Sequence, residues 1–206
     1  MYFCTYFKKS GMTISRTREQ LVDIARQLFA KNGVNGTTMN DIAVASKKGR
    51  RTLYTYFKSK EDVYFAVVES ELDLLSETMR KVAAKKISPD NKIIELVYTH
   101  LDAIKEVVYR NGTLKAGFFR DIWKVERARK RFDQNEIALF RRVLEEAKEQ
   151  GVFAIENVPI YADILHYCVK GIEVPYIRGR IGEEMDDAML DHNVRRILFG
   201  ALGKIN

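Results

Sequence analysis

Apolar residues recur along this chain at three- and four-residue spacings, the period of helices that bury one face. Leu21, Ile24, Ala25, Leu28 and Phe29 form the first stripe. Thr17 can start that helix and Asn32-Gly33 can stop it, with glycine in the left-handed cap position. Thr38, with Asp41 three residues on, has the capping-box spacing and opens a second, short helix whose apolar side is Met39, Ile42 and Ala43. Lys47-Lys48-Gly49 ends it, and a third short helix spans about Arg50–Tyr56. Ser59, matched by Asp62, caps a fourth with Val63, Ala66, Val67 and Leu74 on its buried side.

Longer helices fill the remainder. Ser88-Pro89 opens one carrying Ile93, Ile94, Val97, Leu101, Ile104 and Val108, broken at Asn111-Gly112. A segment with Leu114, Phe118, Phe119, Ile122 and Trp123 follows, then a helix with Ile137, Phe140, Val143, Leu144 and Ala147 that Gly151 ends. Pro159 suits the first turn of a helix containing Ile160, Ile164, Leu165, Cys168, Val169 and Ile172, which Pro175 should kink or end. The last helix spans roughly Glu183–Leu202, with Ala188, Ile197, Leu198, Ala201 and Leu202 inward. No alternating strand pattern and no fixed-period repeat occurs, so the fold class is all-α. Three short helices with tight connections, the second and third joined by a turn containing glycine, have the form of a helix-turn-helix, whose later helix enters the DNA major groove.

Charge sharpens this picture. Residues 1–64 carry 12 Lys/Arg against 5 Asp/Glu, whereas residues 65–206 carry 23 of each, so the whole net charge of +7 lies in the first third. The stretch Lys47–Lys60 (KKGRRTLYTYFKSK) holds six cations and no anion, the mark of a segment that seeks a polyanion. An ordinary globular balance, with 46% hydrophobic residues, excludes a disordered chain, and no apolar run is long enough for a transmembrane helix. Two cysteines, Cys4 and Cys168, supply neither a disulfide framework nor a zinc site, which fits a reduced, cytoplasmic protein. Residues 1–11, aromatic then basic, reverse the order of a signal peptide; residues 1–12 read as a flexible arm, or Met1–Gly11 as residues upstream of a true start at Met12.

In RRTLYTYF, Leu53 and Phe57 share one helical face and can anchor the third helix, while Arg51 and Thr55 share another face, as do Thr52 and Tyr56. Arginine can fork onto a guanine edge or clamp phosphate, and threonine and tyrosine hydroxyls can donate to phosphate oxygens. Two tyrosines on a helix needed only for solubility would be unusual, although Tyr54 or Tyr56 can equally pack into the small core with its hydroxyl at the rim.

These pieces, LFAKNG, then TTMNDIAVAS, then TLYTYFKSKED leading into a long helix, make Thr17 to about Val67 resemble the amino-terminal domain of the TetR family of bacterial transcriptional regulators. The remaining 140 or so residues resemble the family only in helical pattern. The resemblance implies a helix-turn-helix domain over 13–60 and a helical ligand-binding and dimerisation domain over 61–206. It further implies an Ω-shaped homodimer, a palindromic double-stranded operator, and a ligand-responsive regulator, most often a repressor. Carried over by position, Thr38 caps the second helix near a phosphate, and Thr52, Tyr54 and Tyr56 contact the DNA backbone or neighbouring base edges. Lys60 contacts phosphate, while Arg50, Arg51 and Thr55 fall where operator sequence is read. The chain departs from the family in its turn, where Lys47-Lys48-Gly49 replaces the frequent Gly-Val-Ser, and at Arg51, where glycine is frequent. The added Lys47 and Lys48 should strengthen phosphate attraction. A small-molecule effector of apolar or aromatic character would find Tyr98, Phe118, Phe119, Trp123 and Tyr167 as pocket candidates. The dimer contact would be a four-helix bundle from the last two helices of each subunit, although Ile164, Cys168, Ile172, Ile197, Leu198 and Ala201 fit either that seam or the subunit's own core.

Nothing nominates an enzyme, a cofactor or a metal. RGRIG lacks the spacing and preceding strand of a phosphate loop, and His166 and Cys168 lie on different sides of one helix. Glu145-Glu146 and Asp186-Asp187 read as solvated faces. The rival reading is a basic helical adaptor or membrane-surface protein whose patch meets anionic lipid. It calls for a broad apolar face opposite the lysines, which Lys47–Lys60 lacks.

Overall fold

The computed structural model describes the backbone of residues 4–111, 122–181 and 186–203, and the side chains of 16–109, 129–181, 186 and 188–203. Among these, eight helices and no strand occur: α1 (Cys4–Asn32), α2 (Met39–Ala45), α3 (Arg50–Tyr56), α4 (Lys60–Ala83), α5 (Pro89–Asn111), α6 (Ile122–Glu149), α7 (Val158–Ile177) and α8 (Asp187–Leu202). The chain divides into two compact units. One comprises Met1–Glu71 with Val108–Ala128, the other Leu72–Val107 with Arg129–Asn206.

The first unit is organised around a core of Leu21, Val22, Ala25 and Phe29 from α1, Ile42 and Ala43 from α2, Leu53 and Phe57 around α3, and Val63, Ala66 and Val67 from α4. Local chemistry sets the ends of these helices. Gly33, at φ 73°, takes the left-handed cap of α1 and donates its N–H to the Phe29 carbonyl at 2.9 Å. At α2 the Thr38 hydroxyl accepts from the Asp41 N–H at 3.2 Å while Asp41 accepts from the Thr38 N–H at 2.8 Å, a reciprocal capping box. Ser59 and Asp62 do the same at the start of α4, at 3.2 and 3.1 Å. Arg26 ties α1 to α4, reaching Ser70 at 2.6 Å and Glu71 at 2.9 Å.

α1 begins at Cys4, so helical backbone covers residues 4–12 of the expected arm, and Thr17 lies inside the helix instead of starting it. Leu74, expected inside, is 61% exposed, because the buried stripe of α4 passes through Leu72, Leu75 and Met79.

In the second unit Asn157 caps α7 by accepting from the Ile160 N–H at 3.2 Å, with Pro159 in the first turn as expected. Pro175 does not end α7, which continues to Ile177. The N–H it lacks falls in the last turn, where only one helical bond is forgone. Asp186 caps α8 at 2.7 Å, and Gly203 closes it at φ 63°. Of the residues expected inward on α8, Leu202 is buried and Leu198 half-buried, but Ala188, Ala201 and Ile197 are exposed. The apolar period is present, but the outer part of that face is exposed among the described residues.

Candidate nucleic-acid interface

α2 and α3 pack on each other and on the core of the first unit through Ile42, Ala43, Leu53 and Phe57. Leu53 and Phe57 are buried as the spacing required, and behind Phe57 the Arg18 guanidinium stacks 5.4 Å from the ring centroid. Held from behind in this way, α3 turns Arg50, Arg51, Tyr54 and Thr55 outward, all exposed, with Tyr54 at 44%. Thr52 and Tyr56 are half-buried, and the Tyr56 ring packs against the core. Tyr56 is therefore the tyrosine of the pair that serves the core. Lys47 and Lys58 are exposed and Lys48 half-buried. None of Lys47, Lys48, Arg50, Arg51 and Lys58 forms an ion pair among the described residues, so their charge stays available to a partner.

Hydrogen bonding narrows what several hydroxyls can do. The Thr38 hydroxyl donates to Asp41 at 2.8 Å, and the hydrogen bonds from Thr38 hold the Asp41 carboxyl below the usual range. The Thr55 hydroxyl donates to the Arg51 carbonyl at 2.9 Å, which leaves its lone pairs as acceptors for a base amino group. Lys60 donates one of its three N–H groups to the Val34 carbonyl at 2.8 Å and keeps two.

The turn between α2 and α3 holds a feature that charge did not reveal. Lys48 N–H reaches the Ala43 carbonyl at 3.2 Å and Lys47 N–H the Val44 carbonyl at 3.0 Å, the paired bonds of a Schellman motif. The left-handed position of that motif is Lys47, at φ 54°, the sole non-glycine at positive φ among the described residues. A side chain there costs about 1–2 kcal/mol relative to glycine. Lys47→Gly is therefore expected to stabilise the fold by about 1 kcal/mol in chemical denaturation. It should also weaken DNA binding and make its log–log salt dependence shallower by about 0.9 for each phosphate no longer neutralised. Gly49, the N-cap of α3, makes no side-chain cap bond, as its lack of a side chain dictates.

The pocket candidates fare differently. Tyr167 is 64% exposed on α7, on the outward stripe it shares with Ile160 and Ile164. Tyr98 is half-buried, and the side chains of Phe118, Phe119 and Trp123 lie outside the described residues, as does Gly182 of RGRIG. Glu146 is not merely solvated. It accepts both ends of a bidentate contact from the buried Lys92 ammonium, at 2.8 Å each.

Sequence reading missed a buried ionic network. His100 on α5 donates to Glu136 at 2.5 Å and to Glu173 at 2.8 Å, and His166 donates to the other oxygen of Glu136 at 2.5 Å. Arg129 clamps Glu173 with both terminal nitrogens, and Lys170 pairs with Asp133 at 2.7 Å. Burial opposes the His100 imidazolium, but its hydrogen bonds to Glu136 and Glu173 and their charges outweigh that and push it up to about 9. Burial likewise works against the Glu173 carboxylate, yet His100 and Arg129 bring it down to about 2. The raised His100 contributes stability that is complete below its ordinary value of 6.5 and is lost as pH rises through about 9. The lowered Glu173 contributes stability present above its ordinary 4.5 and lost as pH falls through about 2. A melting-temperature profile should thus be flat from about pH 5 to 7 and decline on both sides, with His100→Gln flattening the alkaline limb. No group of three or more His, Cys, Asp or Glu placed to hold a metal occurs among the described residues.

An outward helix bearing unpaired guanidinium groups, set behind a tight turn and anchored by its apolar back, defines a helix-turn-helix DNA-binding protein. Residues 21–67 match the family model described as bacterial regulatory proteins, tetR family. The chain is similar to the HTH-type transcriptional regulator QacR of Staphylococcus aureus (strain Mu50 / ATCC 700699), with 24% identity over 158 residues, 75% of this chain and 83% of that one. It is 36% identical over 90 residues, 44% of each chain, to the HTH-type transcriptional repressor KstR2 of Rhodococcus jostii (strain RHA1). A transcriptional regulator from Cytophaga hutchinsonii ATCC 33406 superposes with a TM-score of 0.73 at 21% identity, covering 90% of this chain and 98% of that one. Residues 21–67 therefore form a domain of the tetR family of bacterial regulatory proteins, and the chain as a whole is similar to regulators that carry it. These relatives are regulators of transcription.

Proposed function

We propose that this chain is a ligand-responsive repressor that binds a palindromic operator as a homodimer, with residues 13–60 as the reading domain and 61–206 as the ligand and dimer domain. The observation that carries the reading is the outward face of α3, where Arg50 and Arg51 stand exposed beside Tyr54 and Thr55. In this assignment Arg50, Arg51 and Thr55 meet base edges, Thr55 as an acceptor. Lys47, Lys48, Thr52, Tyr54, Tyr56 and Lys60 meet the sugar-phosphate backbone and fix register, with Thr38 holding the start of α2 beside it. One seven-residue recognition helix reads too few base pairs for useful specificity, so two copies are needed, on half-sites about one helical turn or somewhat more apart.

The dimer surface is the outer side of α7 and α8. Ile164 is 57% exposed and Ile197 71%, with Ile160, Cys168, Ile172 and Met189 also exposed. Of the two roles the spacing left open for these residues, exposure favours the seam between subunits. A cytoplasmic effector of apolar or aromatic character, bound in the helical ligand domain, releases the operator by binding the non-DNA form more tightly.

The membrane-surface alternative is disfavoured because the apolar side of α3, Leu53 and Phe57, is buried in the core and offers lipid nothing. Nor is any helix among the described residues long and apolar enough to cross a membrane. A gel shift against DNA upstream of the gene, run beside co-sedimentation with phosphatidylserine-containing vesicles, separates the two. Retarded DNA with protein left in the vesicle supernatant is expected. Vesicle binding with no shifted DNA at low salt would overturn the reading.

A further inference from the structure

α7 buries a polar stripe within an apolar face and leaves several large apolar residues outside. Its inward side carries His166, Lys170 and Glu173 alongside Leu165 and Val169, while Ile160, Ile164, Tyr167 and Ile172 face out. The three polar residues stand at i, i+4 and i+7, and so do Arg129, Asp133 and Glu136 on α6. They pair in opposite sequence order: Glu136 with His166, Asp133 with Lys170, Arg129 with Glu173. His100 enters from α5 between Glu136 and Glu173 and rests against the Phe132 ring at 5.5 Å. Shifting α7 by one turn along α6 would break every one of these pairs together, and rotating it to bury the isoleucines would expose the charges. Removing one member of such a buried network leaves its partners' charges uncompensated, and in some proteins buried polar groups select one packing arrangement over its competitors.

We propose that the Glu136-centred network sets the rotation and register of α7, so that Glu136, His100 and His166 are positioning residues for the apolar face that meets a second copy of the chain. The inference rests on the dimer reading above for its function, but its geometry lies within one subunit.

The test uses the full chain with Cys4→Ser, Cys168→Ser, Asp163→Cys and Arg141→Cys, spin-labelled at position 163 on α7, off the Ile164 stripe, and at position 141 on α6, both exposed, with sedimentation run on unlabelled protein. Excess unlabelled protein restricts the measured distances to those within one chain. The variant His100→Leu/Glu136→Leu/His166→Leu replaces the centre of the network by apolar groups. It should keep its helical circular dichroism, broaden or shift the label-to-label distance, and raise the dimer dissociation constant at least tenfold in sedimentation. Glu136→Gln, which keeps the shape but not the charge, should show the same broadening to a smaller extent and carries the test should the triple variant not fold. A folded variant with the narrow parental distance and an unchanged dissociation constant would overturn the proposal. A parental chain that sediments as a monomer would instead overturn the dimer reading, and the distance within the chain would still decide the register.

Discussion

Raising salt from about 50 to 200 mM is expected to weaken DNA binding by about 10⁴-fold. Lys47, Lys48, Lys58 and Lys60 are the cations of the turn and its flank left for phosphate once Arg50 and Arg51 are assigned to bases. Two subunits then neutralise about eight phosphates, and each contributes about 0.9 to the log–log slope, which gives about −7. The four lysines remain available for this. Lys47, Lys48 and Lys58 have no ion-pair partner among the described residues, and Lys60 commits one donor to a carbonyl. Fluorescence anisotropy across a salt series reads the slope directly, and a flat response would mean that this patch does not touch phosphate.

Ile164→Glu is expected to raise the dimer dissociation constant by about 10²–10³-fold, because each carboxylate buried without a partner at an interface costs several kcal/mol. The two-fold symmetry of a dimer places the substitution twice in one contact. Ile164 is 57% exposed in the single chain, so the change should leave the subunit folded, with unaltered helicity. Operator binding should weaken in parallel, since two reading heads no longer act as one unit. Sedimentation of the variant as a dimer at the parental concentration range would remove α7 from the interface.

What the sequence disclosed was local. Thr38 with Asp41, Ser59 with Asp62, and Gly33 after Asn32 bind partners within four residues, so spacing alone identified three helix ends. The limits of α3, and Leu53 with Phe57 as its anchors, followed from a helical period over eight residues. The left-handed Lys47 escaped because a lysine there carries no compositional mark. Only the position, where a Schellman turn favours glycine, pointed to it. Period also says which residues share a face but not which way that face turns, which is why Ile197 was expected inside and stands outside. The ionic network joins residues 30 to 73 apart on three helices, beyond the reach of any spacing rule. Its trace in the sequence was the polar stripe His166, Lys170 and Glu173 on α7, a helix otherwise rich in apolar residues.

The account turns on α3 presenting its arginines to a duplex. Binding of the parental chain and of Arg51→Ala to a fragment upstream of the gene, and to copies of it with single base-pair changes, tests this most directly, with Tyr56→Phe as the backbone control. Arg51→Ala is expected to lose discrimination at one or two positions, by about 1–3 kcal/mol each. Tyr56→Phe should weaken binding evenly on every fragment. An Arg51→Ala protein that binds all fragments with parental affinity and parental preferences would contradict the account.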